Sequence, residues 1–168
     1  RHIKRPDRIL EIARALPNVR FHMAGGPSPG EEDLYREIQR EARGIENLTF
    51  HGGVPYLDIG DLFDRARVFA NTSDLEGFPN TFLQAWIRGI PVVTMFDPDG
   101  LVGRCGLGSS HTSVSDMTHG LSTMLGSVSV HQAASDAALA YIEQHYGEEK
   151  VLGPYLAALE GRGVEYTT

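Results

Sequence analysis

Apolar side chains return at helical spacing at Ile9, Leu10, Ile12, Ala13 and Leu16, and Pro17 closes that run. Val19, Phe21 and Met23 then alternate with Arg20, His22 and Ala24 until Gly25, Gly26, Pro27 and Pro29 interrupt them, which predicts a strand running into a loop. Leu34, Ile38 and Ala42 recur every four residues in a charged stretch, the mark of a surface helix, and Leu48 to His51 predict the next short strand. The alternation continues with a helix through Ile59, Leu62, Phe63 and Ala66 and a strand over Val68 to Ala70. A helix from Thr81 to Arg88 ending at Gly89 and a strand over Val92 to Met95 follow.

Helices and strands that alternate through short connections imply right-handed crossovers and a parallel sheet covered on both faces. The expected fold class is therefore α/β, a Rossmann-like doubly wound parallel sheet with helices on both faces. After the turn Asp97-Pro98-Asp99-Gly100 the pattern weakens to one short strand near Leu107 to Val114. Helices follow around Ser115 to Leu125, Val130 to His145 and Glu148 to Glu160, and residues 161–168, without periodicity, read as a frayed tail.

The chain has 168 residues, 41% of them hydrophobic, enough for one ordinary core, so a single domain over 1–168 is expected. The opening run Arg1 to Arg5 leads straight into a helix, with Pro6 in the first turn and Asp7 favoured by the dipole. That start suggests an upstream part cut away. A formal net charge of −7 disfavours nucleic acid as a partner, because a phosphate-rich polymer meets a repelling field. Cys105 is the only cysteine, which removes internal disulfides and zinc knuckles and fits a cytoplasmic setting. No apolar run approaches the roughly 20 residues of a membrane span.

In an open parallel sheet, ligands bind beyond the carboxyl ends of the strands, which selects four loops: Gly25 to Gly30, His51 to Pro55, Asn71 to Asn80 and Asp97 to Arg104. The first has Gly25 and Gly30 at the spacing of a Walker loop, but Glu31 and Glu32 stand where lysine and a hydroxyl residue belong, so it reads as a structural turn. The third places Ser73, Asp74, Glu76 and Gly77 between a buried strand and a helix start, where backbone N–H groups and the helix dipole can hold a diphosphate. Thr81 and Gln84 also match a capping box, which would merely satisfy helix-end donors, and spacing alone favours that reading. Lys4, with Arg1 and Arg5 beside it, either reaches a phosphate at the same crevice or is solvated surface charge. The histidines show no metal-ligand spacing, so no metal and no cofactor are expected.

The stretch Ser73-Asp74-Leu75-Glu76-Gly77-Phe78-Pro79-Asn80-Thr81-Phe82-Leu83-Gln84-Ala85-Trp86, continued by Gly89-Ile90-Pro91-Val92-Val93, resembles the signature of the family 4 retaining glycosyltransferases. Lys4-Arg5-Pro6-Asp7, the run Val19 to Gly26 and the turn His51-Gly52-Gly53-Val54-Pro55 fall in that family's order, so the resemblance covers nearly the whole chain. It implies one half of a GT-B architecture: the C-terminal domain, which binds a sugar nucleotide of UDP or GDP type. The acceptor and any membrane contact belong to an N-terminal domain absent here. Carried over to matching positions, Arg1 and Lys4 neutralise the diphosphate and Glu76, the candidate catalytic residue, contacts the transferred hexose. Gly77, Phe78, Pro79, Asn80 and Thr81 surround the donor with backbone N–H groups, and Val54 sits near the base. Gln84 departs from the pattern, standing where the family's second acid binds the ribose; it keeps an acceptor but loses a charge. The expected activity is hexosyl transfer with the other half present. A non-catalytic sugar-nucleotide-binding module, for which Gln84 argues, and an epimerase or hydrolase on the same architecture are the rivals.

Overall fold

The computed structural model describes residues 1–147 and 150–153. A 3₁₀ turn over His2–Lys4 leads into α1 (Pro6–Ala15), after which β1 (Phe21–Ala24), α2 (Glu32–Ala42), β2 (Leu48–Gly52) and α3 (Ile59–Asp64) alternate. Then come β3 (Phe69–Asn71), α4 (Asn80–Trp86), β4 (Val92–Thr94), α5 (Leu101–Arg104), β5 (Gly108–Ser110), α6 (Val114–Gly126) and α7 (Val128–Tyr146). All strand pairs are parallel, as the alternation requires. Their hydrogen bonds form two groups, β1–β2 and β3–β4–β5.

Helices cover both faces, and β4 shows why. Val92 and Val93 are both fully buried, and as neighbours on a strand they point to opposite sides. Val92 packs with Phe82, Trp86, Leu107 and Ala138 beneath α4 and α7, whereas Val93 packs with Ile12, Met117 and Leu121 beneath α1 and α6. A third cluster, Leu10, Ala13, Ile38, Ala42, Ile45 and Leu48, seats α1 and α2 on one face of β1–β2. Helix α1 thus serves two cores, Leu10 and Ala13 facing one and Ile12 the other.

Several local features depart from the sequence reading. Strand β1 starts at Phe21 rather than Val19, because the Asn47 amide donates to the carbonyls of Ala13, Leu16 and Val19 and holds that stretch as a turn. Short helix α5 is unforeseen; the carboxylate of Asp97 accepts from the N–H groups of Val102 and Gly103 and starts it. The predicted helix over 148–160 falls mostly, and the tail over 161–168 wholly, outside the described residues.

Candidate functional site

Thr72, Ser73 and Asp74 follow β3 directly, and hydrogen bonds stitch this loop to the segment that enters α1. The Asp74 N–H donates to the Ile3 carbonyl at 2.9 Å. The Thr72 hydroxyl donates to the carbonyls of Lys4 (3.1 Å) and Arg5 (2.9 Å). Arg8 donates to the Thr72 carbonyl at 3.0 Å and pairs with Asp74 at 2.6 Å. Arg5 adopts φ 47°, a left-handed conformation uncommon for a side-chain-bearing residue, and its guanidinium holds Asp7 at 2.7 Å. The bend at Arg5 separates the 3₁₀ turn from α1.

This stitching delivers Lys4 to Glu76. The Lys4 ammonium lies 2.5 Å from both carboxylate oxygens, and the Ser73 hydroxyl donates to one of them at 2.6 Å, with the Asn71 amide farther off at 3.5 Å. The Asn71 side chain in turn accepts from the Ser73 N–H at 2.9 Å, which fixes the loop that carries both donors. The Glu76 side chain is 11% exposed and that of Lys4 45%. Burial pushes the Glu76 carboxyl up, but hydrogen bonds from Lys4 and Ser73, the Lys4 charge and the Asn71 amide outweigh it and leave it below the usual carboxylate range.

A group whose folded pKa is depressed stabilises the fold above its unfolded value, about 4.3 for Glu, and loses that contribution as pH falls through the folded value. Stability measured from pH 7 downwards is therefore expected to show the gap between the parent and Glu76→Gln shrinking below about pH 4. A gap constant to pH 3 contradicts the ion-paired state.

The remaining candidates gather at the same edge. Gly77 and Phe78 are exposed, and the Phe78 ring leans edge-on against buried Trp86, tying the loop to the core. Asn80 and Thr81, also exposed, take the first two positions of α4, where N–H groups have no carbonyl one turn back. The capping-box reading is corrected here. Pro79 is the residue before the first helical one, no side chain caps the helix, and Thr81 lies inside it. Partly buried Gln84 donates no cap, and its carbonyl accepts from Arg88.

Val54 is partly buried in the turn after β2, and Gly53 of that turn lies against Gly26 of the loop after β1. Arg1 is exposed, and its backbone nitrogen lies 3.2 Å from the Glu31 carboxylate in the loop after β1. Sequence reasoning missed Asn71 and Ser73 as supports of Glu76, and Arg8, whose place one turn beyond Lys4 was the available signal. A pair of stacked rings, His22 and His51, with nitrogens 3.0 Å apart, lies on the exposed face of β1–β2. Among the described residues no group of three or more His, Cys, Asp or Glu side chains converges as a metal site. The hollow lined by Gln39, Ala42, Arg43, Leu48, Thr49 and Phe50 lies on the α2–β2 surface, away from this edge, and gathers no hydrogen-bonded charge cluster like that at Glu76.

Residues 4–127 match the family model described as glycosyl transferases group 1, well over half of the chain. The chain belongs to this family of glycosyltransferases. D-inositol 3-phosphate glycosyltransferase of Mycobacterium bovis is 35% identical over 98 residues, 54% of this chain. The match covers 20% of that relative, so the chain spans about a fifth of the curated relatives' length. Among solved structures, TarM of S. aureus superposes with TM-score 0.73 at 20% identity, over 92% of this chain and 32% of TarM. HepE of Anabaena, in complex with UDP and glucose, gives TM-score 0.75 at 19% identity, over 96% of this chain and 46% of HepE. At such identities the likeness shows the GT-B-type fold. Among the described residues no helix is long and apolar enough to cross a membrane.

Proposed function

We propose that this chain is the donor-binding half of a glycosyltransferase, gripping a nucleoside-diphosphate sugar of UDP or GDP type at the Lys4–Glu76 crevice. The observation that carries this reading is the 2.5 Å pairing of Lys4 with both oxygens of a nearly buried Glu76, beside an exposed helix start at the carboxyl edge of a parallel sheet. Structures of this fold with UDP and a sugar, HepE and the pneumococcal O-GlcNAc transferase GtfA, support the choice of ligand.

In this reading Lys4 shifts part of its contact from Glu76 to the diphosphate, and the N–H groups from Gly77 to Thr81 take further phosphate oxygens. Glu76 then accepts hydrogen bonds from the hexose hydroxyls, while Val54 lies beside the base. Arg1 supplies a second cation. The bond from the anomeric carbon to the diphosphate oxygen breaks, its electron pair leaves with the diphosphate, and an acceptor hydroxyl attacks the same face, its proton passing to the departing diphosphate oxygen. Cations and helix-start amides stabilise the leaving charge, so the step is read as needing no metal or cofactor. The acceptor and any membrane contact belong to an N-terminal domain, and this chain alone binds donor without turning it over.

Gln84 favours the second reading, a binding module without chemistry. At the ribose a neutral amide replaces a charge-assisted acceptor, a difference of roughly 1 to 2 kcal/mol. Calorimetric titration is expected to show UDP or GDP binding to Gln84→Glu about tenfold more tightly than to the parent. Equal affinities exclude Gln84 from the ribose site. In a longer polypeptide carrying this chain, transfer by the parent excludes the binding module; transfer that appears only with Gln84→Glu establishes it.

A further inference from the structure

We propose that His22 and His51 form a two-imidazole site for a divalent transition metal of the nickel or copper type, on the exposed face of β1–β2. The inference does not rest on the donor-binding reading.

Strand register brings the two rings together. His22 stands opposite Thr49 and Met23 opposite Phe50, but Ala24 stands opposite Gly52, so His51 is an extra residue in β2. A bulge of this kind bends its strand and re-aims the side chain it carries. Gly52, directly after it, adopts φ 67°, the left-handed conformation that glycine takes without strain. Phe21, Met23, Leu48 and Phe50 pack toward α1 and α2, which leaves His22, Thr49 and His51 on the opposite, exposed face. The two histidines are 29 positions apart in the chain, so no local spacing announces the pair.

On that face the Nδ1 of His22 meets the Nε2 of His51 at 3.0 Å, with the ring planes 24° apart. Two nitrogens at that separation, each about 2.0–2.1 Å from one ion, subtend roughly 95° at it. This is close to the right angle between neighbouring ligands in square-planar or octahedral coordination, which suits Cu(II) and Ni(II). A tetrahedral ion such as Zn(II) opens the angle to about 109° and asks for nitrogens about 3.3–3.4 Å apart.

No other protein group competes for these nitrogens. Among the described residues, each ring's hydrogen bond is to the other ring, and no carboxylate pairs with either. Partial desolvation, then the charges of His51, Arg20 and Arg65, lower the His22 pKa from its usual value, so the ring is neutral at pH 7 and offers a lone pair. The hydrogen bond between the facing nitrogens needs one proton. As an ion enters, that proton moves to the outer nitrogen of its own ring, and both facing nitrogens then donate electron pairs. Arg20 and Arg65 are exposed, so water screens their repulsion of the ion. The remaining coordination positions face solvent and take water.

The test titrates Ni(II) into the whole chain, with His2→Gln in every sample so that the histidine beside Arg1 does not compete. Calorimetry reads affinity and stoichiometry, and paramagnetic broadening of amide NMR signals reads position. The expected result is one ion per chain that broadens His22, Thr49 and His51 before any other histidine. Because two arms hold the ion, His22→Gln and His51→Gln each weaken binding about 100-fold, and the double variant binds no more weakly than either. Without metal, both variants melt with the parent, since these side chains are exposed. Zn(II) binds about tenfold more weakly than Ni(II). Three results overturn the proposal: broadening begins at another histidine, either single substitution leaves the affinity within about threefold, or Zn(II) binds as tightly as Ni(II).

Discussion

In a longer polypeptide that carries this chain and transfers sugar, Lys4→Ala is expected to lower kcat about 100- to 1000-fold while the protein stays folded. Both halves of that expectation come from the geometry. Lys4 supplies the cation nearest Glu76, and its contribution to stability is small because its side chain is 45% exposed and screened, about 1 kcal/mol or less. Its removal leaves the Glu76 carboxylate with Ser73 and Asn71 alone, so the Glu76 carboxyl titrates higher. Glu76→Gln separates the roles: it preserves shape and frees Lys4, so nucleoside diphosphate binding is retained while transfer falls. Unchanged kcat in both variants, measured with initial rates, removes this pair from the mechanism.

Gly108→Ala is expected to give the largest loss of stability. Gly108 sits at φ 145° opposite Val92, and a Cβ there lies 1.8 Å from the Val92 carbonyl oxygen and 2.7 Å from its carbonyl carbon and nitrogen. Those are backbone atoms of the fully buried strand β4, which cannot retreat without disturbing clusters on both faces. The cost is expected to exceed about 4 kcal/mol, lowering the melting temperature by roughly 10 °C or more. Gly77→Ala is the control, because a Cβ at Gly77 meets nothing within 4 Å. Equal melting temperatures for the two variants contradict the packing described at β4.

The layered architecture was legible because each buried helix face repeats its apolar residues at one period and each strand at another. Leu10, Ile12 and Ala13 in α1, and Val92 and Val93 in β4, are both the pattern in the sequence and the contacts in the cores. The loop that carries Glu76 was legible from its place between a strand and a helix start, but its pairing with Lys4 was not, since 72 residues separate the two and no local period links them. Their supports were less legible: Asn71 and Ser73 act through a loop turn, and Arg8, signalled only by its place one turn beyond Lys4, acts through a carbonyl across the crevice. The capping box failed for a local reason. Pro79 takes the place of the capping residue, which moves Thr81 into the helix.

The most direct measurement is the melting temperature of this chain with and without UDP-, GDP- and ADP-sugars, for the parent and for Lys4→Ala. A ligand at about 100 times its Kd stabilises the native state by about 2.7 kcal/mol, which for a domain of this size raises the melting temperature by roughly 5–10 °C. Donor binding at the Lys4–Glu76 crevice is expected to give such a rise with a UDP- or GDP-sugar in the parent and its loss in Lys4→Ala. No rise with any of the three nucleotides, or an equal rise in Lys4→Ala, contradicts it.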